Sequence, residues 1–97
     1  MKSLKRIDIV INAVEKEHLY KLLLKQGMSN FTLFEEVKGR GDRGWQDGAG
    51  LTDSFKNVCV MLACSQQDFD KMQEPLRDFL HKVGGICLVS DAQWLTH

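Results

Sequence analysis

The sequence predicts one α+β domain whose elements follow one another as β-α-β-β-α-β. Three observations predict it: segments in which apolar and polar residues alternate, two segments with apolar residues three or four positions apart, and glycines between them. The chain has 97 residues, the size of one domain, and either half would bury too little apolar surface for a stable core. We therefore expect a single domain over residues 1–97.

The composition favours a folded protein, with 43% hydrophobic and 27% charged residues. Thirteen basic and thirteen acidic residues cancel, so the net positive charge typical of nucleic-acid-binding proteins is missing. Apolar runs stay shorter than the roughly 18 residues of a membrane-spanning helix, and polar residues interrupt the N-terminal stretch where a signal peptide is apolar. We expect an intracellular protein with no nucleic-acid partner and no membrane insertion.

The first half of the chain predicts a strand, a helix and a second strand. Leu4–Ile11 alternates β-branched residues with polar ones, which is typical of a strand with one buried face. Asn12 and Glu15 have the spacing of a capping box, and Gly27 provides a helix stop, so a helix is predicted between them. Phe31–Lys38 is predicted as the second strand. The residues expected on one face of it are Phe31, Leu33 and Val37.

The second half predicts a strand, a helix and a last short strand. Phe55–Ala63 alternates as the third strand, and Ser65 with Asp68 predicts the cap of the second helix. Gly84-Gly85 ends that helix, and the fourth strand is predicted at Ile86–Val89. This order is the ferredoxin-like fold, a four-stranded antiparallel sheet with two helices on one face.

The sheet face without helices is predicted to be apolar. Too many apolar side chains fall there for contact with solvent, so we expect self-association to bury them, the alternative being a monomer with a mildly apolar open face. The residues that alternation assigns to this face are Val10, Cys59, Met61, Cys87 and Val89.

The cysteines and histidines carry no pattern of a metal or disulfide site. Three cysteines without a C-x-x-C pair suit neither a disulfide framework nor a zinc cluster, and the histidines lack metal-ligand spacing. We expect the thiols to act as small core residues and no metal to be bound.

Two glycine-rich segments are candidate anion sites. Lys38–Gly44 combines three cations with three glycines, whose backbone N–H groups can converge on a phosphate. A solvated loop is the equally open alternative, because the segment lacks the established phosphate-binding patterns. Lys82–Gly85 is the second segment, and a simple helix stop is the favoured interpretation of it in isolation.

The stretch Glu36-Val37-Lys38-Gly39-Arg40-Gly41, followed by a long loop and then Phe55-Lys56-Asn57-Val58-Cys59-Val60, resembles the PII signalling proteins. In that family an E-V-K-G-x-G strand end opens the T-loop, and an F-x-x-K-V-x-I strand follows it. The resemblance implies a homotrimer with adenine nucleotides in the clefts between subunits, a T-loop at about 39–53 and a B-loop at about 82–86. The nucleotide-binding residues it implies are Lys38, Gly39, Arg40, Gly41, Asn57, Val58, Gly84, Gly85 and Ile86.

The chain departs from the nitrogen-regulatory members of that family. Its T-loop is short and has no tyrosine, Asp42 and Arg43 stand where those members have a glutamine, and Asn57 and Ile86 replace two lysines. In loop length the chain is similar to carboxysome-associated PII proteins, which implies ADP or AMP as ligand, ATP as a further candidate, and bicarbonate as co-ligand. The residues implied for bicarbonate are Gly41, Asp42, Arg43 and Gly44.

The function expected is therefore that of a cytoplasmic, carboxysome-associated sensor rather than an enzyme, with no catalytic cofactor. Its T-loop would regulate a protein partner in inorganic-carbon metabolism, such as a transporter or a carboxysome-related protein. The alternative is a small ferredoxin-fold enzyme such as a nucleotide hydrolase, for which His81, three residues before Gly84, is the nearest candidate base.

Overall fold

The protein forms a four-stranded sheet covered on one face by two helices, in a computed structural model that describes residues 2–41, 44–46 and 56–96. A single turn of 3₁₀ helix, Ala13–Glu15, joins the first strand to the first helix. The elements are β1 (Lys2–Asn12), α1 (Lys16–Lys25), β2 (Thr32–Val37), β3 (Gly39–Gly41), β4 (Gly44–Gln46), β5 (Asn57–Cys64), α2 (Gln66–Val83) and β6 (Ile86–Trp94).

The main sheet has the order β2-β5-β1-β6, and all its neighbouring strands are antiparallel. With α1 and α2 on one face, this arrangement confirms the predicted ferredoxin-like fold. The pair β3–β4 forms a separate two-stranded sheet.

The core lies between the sheet and the helices. Ile7, Ile9 and Ile11 of β1 are at most 1% exposed, and they pair with Leu62, Val60 and Val58 of β5 on the same face. The helical residues buried against them are Leu19 and Leu23 of α1 and Met72 and Leu76 of α2.

Both predicted helix starts are capped by side chains. The Asn12 carboxamide oxygen accepts from the Val14 N–H at 3.0 Å, so it caps the 3₁₀ turn that precedes α1. The Ser65 hydroxyl oxygen accepts from the Asp68 N–H at 3.1 Å and caps α2, which continues through Pro75. Gly84, with φ of 80°, ends α2 in the left-handed conformation that glycine adopts most readily.

The last strand is longer than its apolar run predicted. β6 extends from Ile86 to Trp94 because it pairs with β1 along that whole length, from Val10 opposite Ile86 to Lys2 opposite Trp94. The residues after Val89 are mostly polar and exposed, so only the backbone pairing marks them as strand.

The prediction that Cys87 and Val89 lie on the open face is wrong. They pair with Ile9 and Ile7, so they share the face of the core, and Cys87 packs against it. Ile86 and Leu88 point instead to the open face, with exposures of 59% and 68%. The register of β6 against β1 decides which of its side chains face the core. The alternation within β6 alone could not predict that register.

Strand β2 also departs from prediction. Glu35 pairs with Val58 but Val37 pairs with Asn57, so Glu36 is an extra residue in the ladder. The extra residue moves Val37 to the face opposite that of Leu33, whereas alternation predicted one face for both. The predicted T-loop at about 39–53 contains the hairpin β3–β4, while positions 42–43 and 47–55 lie outside the described residues.

All three cysteines are free thiols whose pKa values are raised. Burial is the main cause for each, and the nearby Asp8 carboxylate adds to it for Cys59 and Cys87. The pKa of Cys87 rises to about 11, and Asp68 contributes to the shift at Cys64. A raised thiol pKa keeps these groups protonated at neutral pH. Cys64 lies in the core and Cys87 packs against it, as predicted, whereas Cys59 lies on the open face of the sheet.

Gly85 is predicted to tolerate no side chain. A Cβ at this position would lie 2.6 Å from Ile11 Cγ2 and 2.7 Å from the Val10 carbonyl oxygen. Because one of the two contacts is a backbone atom that cannot easily move, Gly85→Ala should lower the free energy of unfolding by about 3 kcal/mol, the upper part of the range for overpacking, in urea denaturation. Gly27→Ala is the matched control, since space is open there and only the positive φ is unfavourable, a cost of about 1 kcal/mol. Equal losses in the two variants would contradict the close approach at Gly85.

The thiol pKa values predict slow alkylation. Because the thiolate is the reactive form, iodoacetamide should modify Cys87 at pH 7 on the order of a hundredfold more slowly than a free cysteine, with the rate rising about tenfold per pH unit up to pH 10. Mass spectrometry of time points at each pH would measure it. Labelling of Cys87 at the rate of a free thiol at pH 7 would contradict the burial described.

Candidate functional site

One end of the sheet brings together both glycine segments predicted to bind a ligand. Val37 at the end of β2 pairs with Asn57 at the start of β5, which pairs with Asn12 at the end of β1. On the other side of β1, Val10 pairs with Ile86, the first residue of β6 after Gly84-Gly85. The predicted T-loop and B-loop therefore leave the sheet at the same end.

The two segments are at opposite edges of that end. β2 and β6 are the outer strands, separated by three inter-strand spacings of about 4.8 Å, or roughly 14 Å. One phosphate group therefore cannot touch both segments of one chain. A larger ligand, or segments from two chains, would be needed to bring them together.

The start of the predicted T-loop is shaped by Glu36. Its backbone has φ of 57°, the only positive φ of a non-glycine residue in the described part of the chain. Its carboxylate lies 3.3 Å from Nζ of Lys56, the residue that precedes β5. The Lys56 carbonyl oxygen accepts a hydrogen bond of 2.7 Å from the Ala13 N–H. Both ends of the segment between β2 and β5 are thus held at the sheet.

The B-loop glycines already have structural roles. The Gly84 N–H donates to the Leu80 carbonyl oxygen at 2.8 Å, so this group caps α2. Gly85 lies against Val10 and Ile11, as described above. The helix-stop interpretation is thus correct for this pair, and any ligand contact would come in addition to it.

The remaining predicted nucleotide residues differ in what they can offer. Lys38 is exposed between β2 and β3. Ile86 is exposed on the open face, and Asn57 is buried at 9% exposure. The Val58 side chain is 2% exposed in the core, so only its backbone could contact a ligand.

The predicted bicarbonate residues are only partly placed. Gly39, Arg40 and Gly41 form β3, and Gly44 begins β4 opposite Gly41. Asp42 and Arg43 lie outside the described residues.

The open face carries an apolar band next to the same end of the sheet. One row crosses all four strands, with Phe34, Cys59, Val10 and Ile86 side by side. Met61 and Leu88 follow in the next row, on either side of Asp8. We refer to these six apolar residues as the apolar band: Val10, Phe34, Cys59, Met61, Ile86 and Leu88. Phe34 is 47% exposed and Leu88 is 68% exposed, so in a single chain the band faces solvent.

Two open cavities lie at opposite ends of the described structure. The one near the predicted site has a volume of about 310 Å³ and is lined by Ala13, Val14, Lys16, Glu35, Glu36, Lys56 and Val58. The other, of about 710 Å³, is lined by Ser3, Leu4 and Asp91–Gln93 and is far from every residue predicted to bind a ligand. Position therefore favours the smaller cavity, which adjoins the start and the end of the loop.

Sequence reasoning missed Glu36, Lys56 and Phe34 as residues of this end of the sheet. Glu36 and Lys56 belong to the two stretches that resemble the PII signalling proteins. Nothing in these residue types predicts the positive φ of Glu36 or the ion pair between the two side chains. Phe34 could have been found by alternation, since it lies between Leu33 and Glu35 and must face away from the core.

The described residues contain no cluster of three His, Cys, Asp or Glu side chains arranged to hold a metal ion. Within the same residues, neither helix combines the length and apolarity needed to cross a membrane. The His18 ring contacts the Glu15 carboxylate at 2.8 Å near the start of α1.

Solved structures of PII-like proteins share this fold. CPII from Thiomonas intermedia K12, bound to ADP, AMP and bicarbonate, aligns with a TM-score of 0.85 and 22% identity over 95% of this chain and 88% of that one. The same protein bound to ADP and bicarbonate aligns with a TM-score of 0.81 and 23% identity, over 95% and 88%. A PII-like signalling protein from Thermus thermophilus aligns with a TM-score of 0.75 and 17% identity, over 94% and 88%. No curated protein sequence matches the chain.

The family comparison covers nearly the whole chain. The model of the family described as nitrogen regulatory protein P-II matches residues 4–96, from the first strand to beyond the last. That match includes both glycine segments, the apolar band and the two helices. The chain belongs to the P-II family of nitrogen regulatory proteins.

Proposed function

We propose that this protein is a PII-like regulatory sensor that binds ADP or AMP, with ATP as a weaker ligand, together with bicarbonate in clefts between the subunits of a homotrimer. The observation that carries the proposal is the fold shared with CPII, whose structure holds ADP, AMP and bicarbonate. The alignment with that structure covers 95% of this chain. The proposed nucleotide-binding residues are Lys38, Gly39, Arg40, Gly41, Asn57, Val58, Gly84, Gly85 and Ile86.

The geometry supports a site that is shared between copies. The two glycine segments lie at opposite edges of one sheet, and the exposed apolar band lies between them on the open face. A neighbouring copy that covers the band would remove apolar surface from water and place its own strand edge near these segments. Burial of the band and completion of the site would then be one event.

The charges near the site favour a small number of phosphates. Asn57 and Ile86 contribute no cation, so the proposed cations, Lys38, Arg40 and Arg43, all belong to the T-loop segment. A planar anion such as bicarbonate matches the guanidinium fork of Arg43, with glycine N–H groups beside it. Nucleotide and bicarbonate that order the same segment would each raise the affinity for the other.

The proposed role follows from that coupling. A T-loop whose conformation depends on adenine nucleotide and bicarbonate can engage or release a partner according to both. We place the protein in the cytoplasm, in association with carboxysomes or a transporter of inorganic carbon, and assign it no turnover.

Bicarbonate is predicted to tighten ADP or AMP binding more than ATP binding. Isothermal titration of each nucleotide, in carbonate-free buffer and in millimolar bicarbonate, should give an increase in ADP affinity of roughly five- to a hundredfold. Arg43→Ala should abolish the increase and leave the assembly intact. Arg77→Ala is the matched control, because Arg77 pairs with Glu74 on the surface of α2.

Equal ADP affinities in the two buffers would leave an adenylate sensor without a role in inorganic carbon. Product formation during long incubation with ATP or ADP would instead favour the nucleotide hydrolase.

Disruption of the apolar band is predicted to dissociate the trimer. Leu88→Glu places a carboxylate in a surface that assembly would bury, and burying an unpaired charge is unfavourable. Light scattering should change from three times the 11.1 kDa chain mass to the mass of one chain. Leu24→Glu is the control, since Leu24 is 60% exposed on α1 and lies outside the band. A wild-type chain that is monomeric at micromolar concentration would contradict the shared site.

A further inference from the structure

The contacts around Glu36 form a clamp at the root of the loop between β2 and β5. The Glu36 carboxylate pairs with the Lys56 ammonium at 3.3 Å across the two ends of that loop. The Lys56 carbonyl oxygen is in turn held by the Ala13 N–H at 2.7 Å, which ties the loop end to the end of β1. We call Glu36, Lys56 and the Ala13 N–H the root clamp.

The root clamp also includes an unusual backbone conformation at Glu36, which directs the chain that follows it. Left-handed backbone at φ of 57° is unfavourable for a residue with a Cβ, and such strain persists only where surrounding contacts maintain it. The same residue is the extra one in the ladder between β2 and β5. A bulge bends its strand and changes the direction of the residues that follow. The path of Val37 and Lys38 away from the sheet therefore depends on the conformation of Glu36.

A second ion pair supports the same strand edge. Lys16 Nζ lies 3.7 Å from the Glu35 carboxylate, which links the start of α1 to β2 beside the clamp. Glu35 and Glu36 thus each face a lysine, and together with those lysines they line the cavity of about 310 Å³. The Lys56 and Glu36 side chains are 39% and 70% exposed, so salt should weaken their attraction.

We propose that Glu36 and Lys56 are positioning residues for the ligand-binding segment Lys38–Gly41. The segment begins two residues after Glu36, so the root clamp sets where its backbone N–H groups lie. The proposal rests on the proposed function in one respect, namely that Lys38–Gly41 binds the nucleotide. The conformational effect of the clamp is independent of any ligand.

The first test measures hydrogen exchange of amides 37–41 by mass spectrometry without ligand. Lys56→Gln and Glu36→Gln should each raise the exchange rate about two- to fivefold, the range expected for one partly exposed ion pair. The charge swap Glu36→Lys with Lys56→Glu should restore the slower rate. Lys5→Gln is the matched control, because it removes the cross-strand pair with Asp91 at the opposite end of the sheet.

A glycine variant separates positioning from general stability. Glu36→Gly removes the carboxylate and also relieves the left-handed strain. The exchange of amides 37–41 should therefore rise while the urea midpoint of unfolding stays equal to that of the wild type or increases. A purely structural role for Glu36 would lower the midpoint together with the protection.

The second test measures ADP affinity by calorimetry with the same variants. Lys56→Gln should weaken ADP binding about two- to fivefold, the charge swap should restore it, and 0.5 M salt should reduce the difference between variant and wild type. Absence of ADP binding by the wild type, with the exchange pattern as expected, would overturn the proposed ligand while supporting the clamp. Unchanged exchange in both single variants, or no recovery in the swap, would overturn the clamp itself.

Discussion

The main sheet and the two helices take their positions from the pairing of β1 with both of its neighbours. β1 pairs with β5 from Lys5 to Asn12 and with β6 from Lys2 to Val10, and its isoleucines supply the centre of the core. Because side chains alternate across a strand, the residues between those isoleucines must face the open side, where Val10 and Asp8 lie. One strand therefore fixes the core, the apolar band and the end of the sheet where the candidate site is found.

Alternation and capping predicted the fold because they are local properties. The isoleucines of β1 indicate a strand by their own spacing, and Ser65 indicates the start of α2 by a contact only three residues away. The phase of β6 is not local, since Cys87 faces the core only because its pairing with β1 begins at Ile86 opposite Val10. The bulge at Glu36 is similar: a glutamate gives no indication of a positive φ, which only tertiary contacts can maintain.

The candidate site was predictable from residue pattern only in part. Glycines mixed with cations indicate an anion site in general terms, and the resemblance of Glu36–Gly41 to a known loop supplied the ligand class. Neither could show that Gly84 and Gly85 are already required by the fold, through the cap of α2 and the close approach to Val10. A substitution at Gly85 is therefore expected to change folding whether or not the residue contacts a ligand.

The proposed site, divided between opposite edges of one sheet, would link ligand affinity to assembly. A nucleotide that contacts the T-loop segment of one copy and the strand edge of another binds only the assembled form, so it stabilises assembly by mass action. By the same linkage, a change at the apolar band that dissociates the copies would also weaken nucleotide binding. The root clamp would then affect two contacts of the segment Lys38–Gly41, one with the ligand and one with the neighbouring copy. The strained residue and its ion pair lie on the edge strand β2, outside the packed isoleucines, so a change in the direction of the chain after Glu36 would leave the core contacts in place.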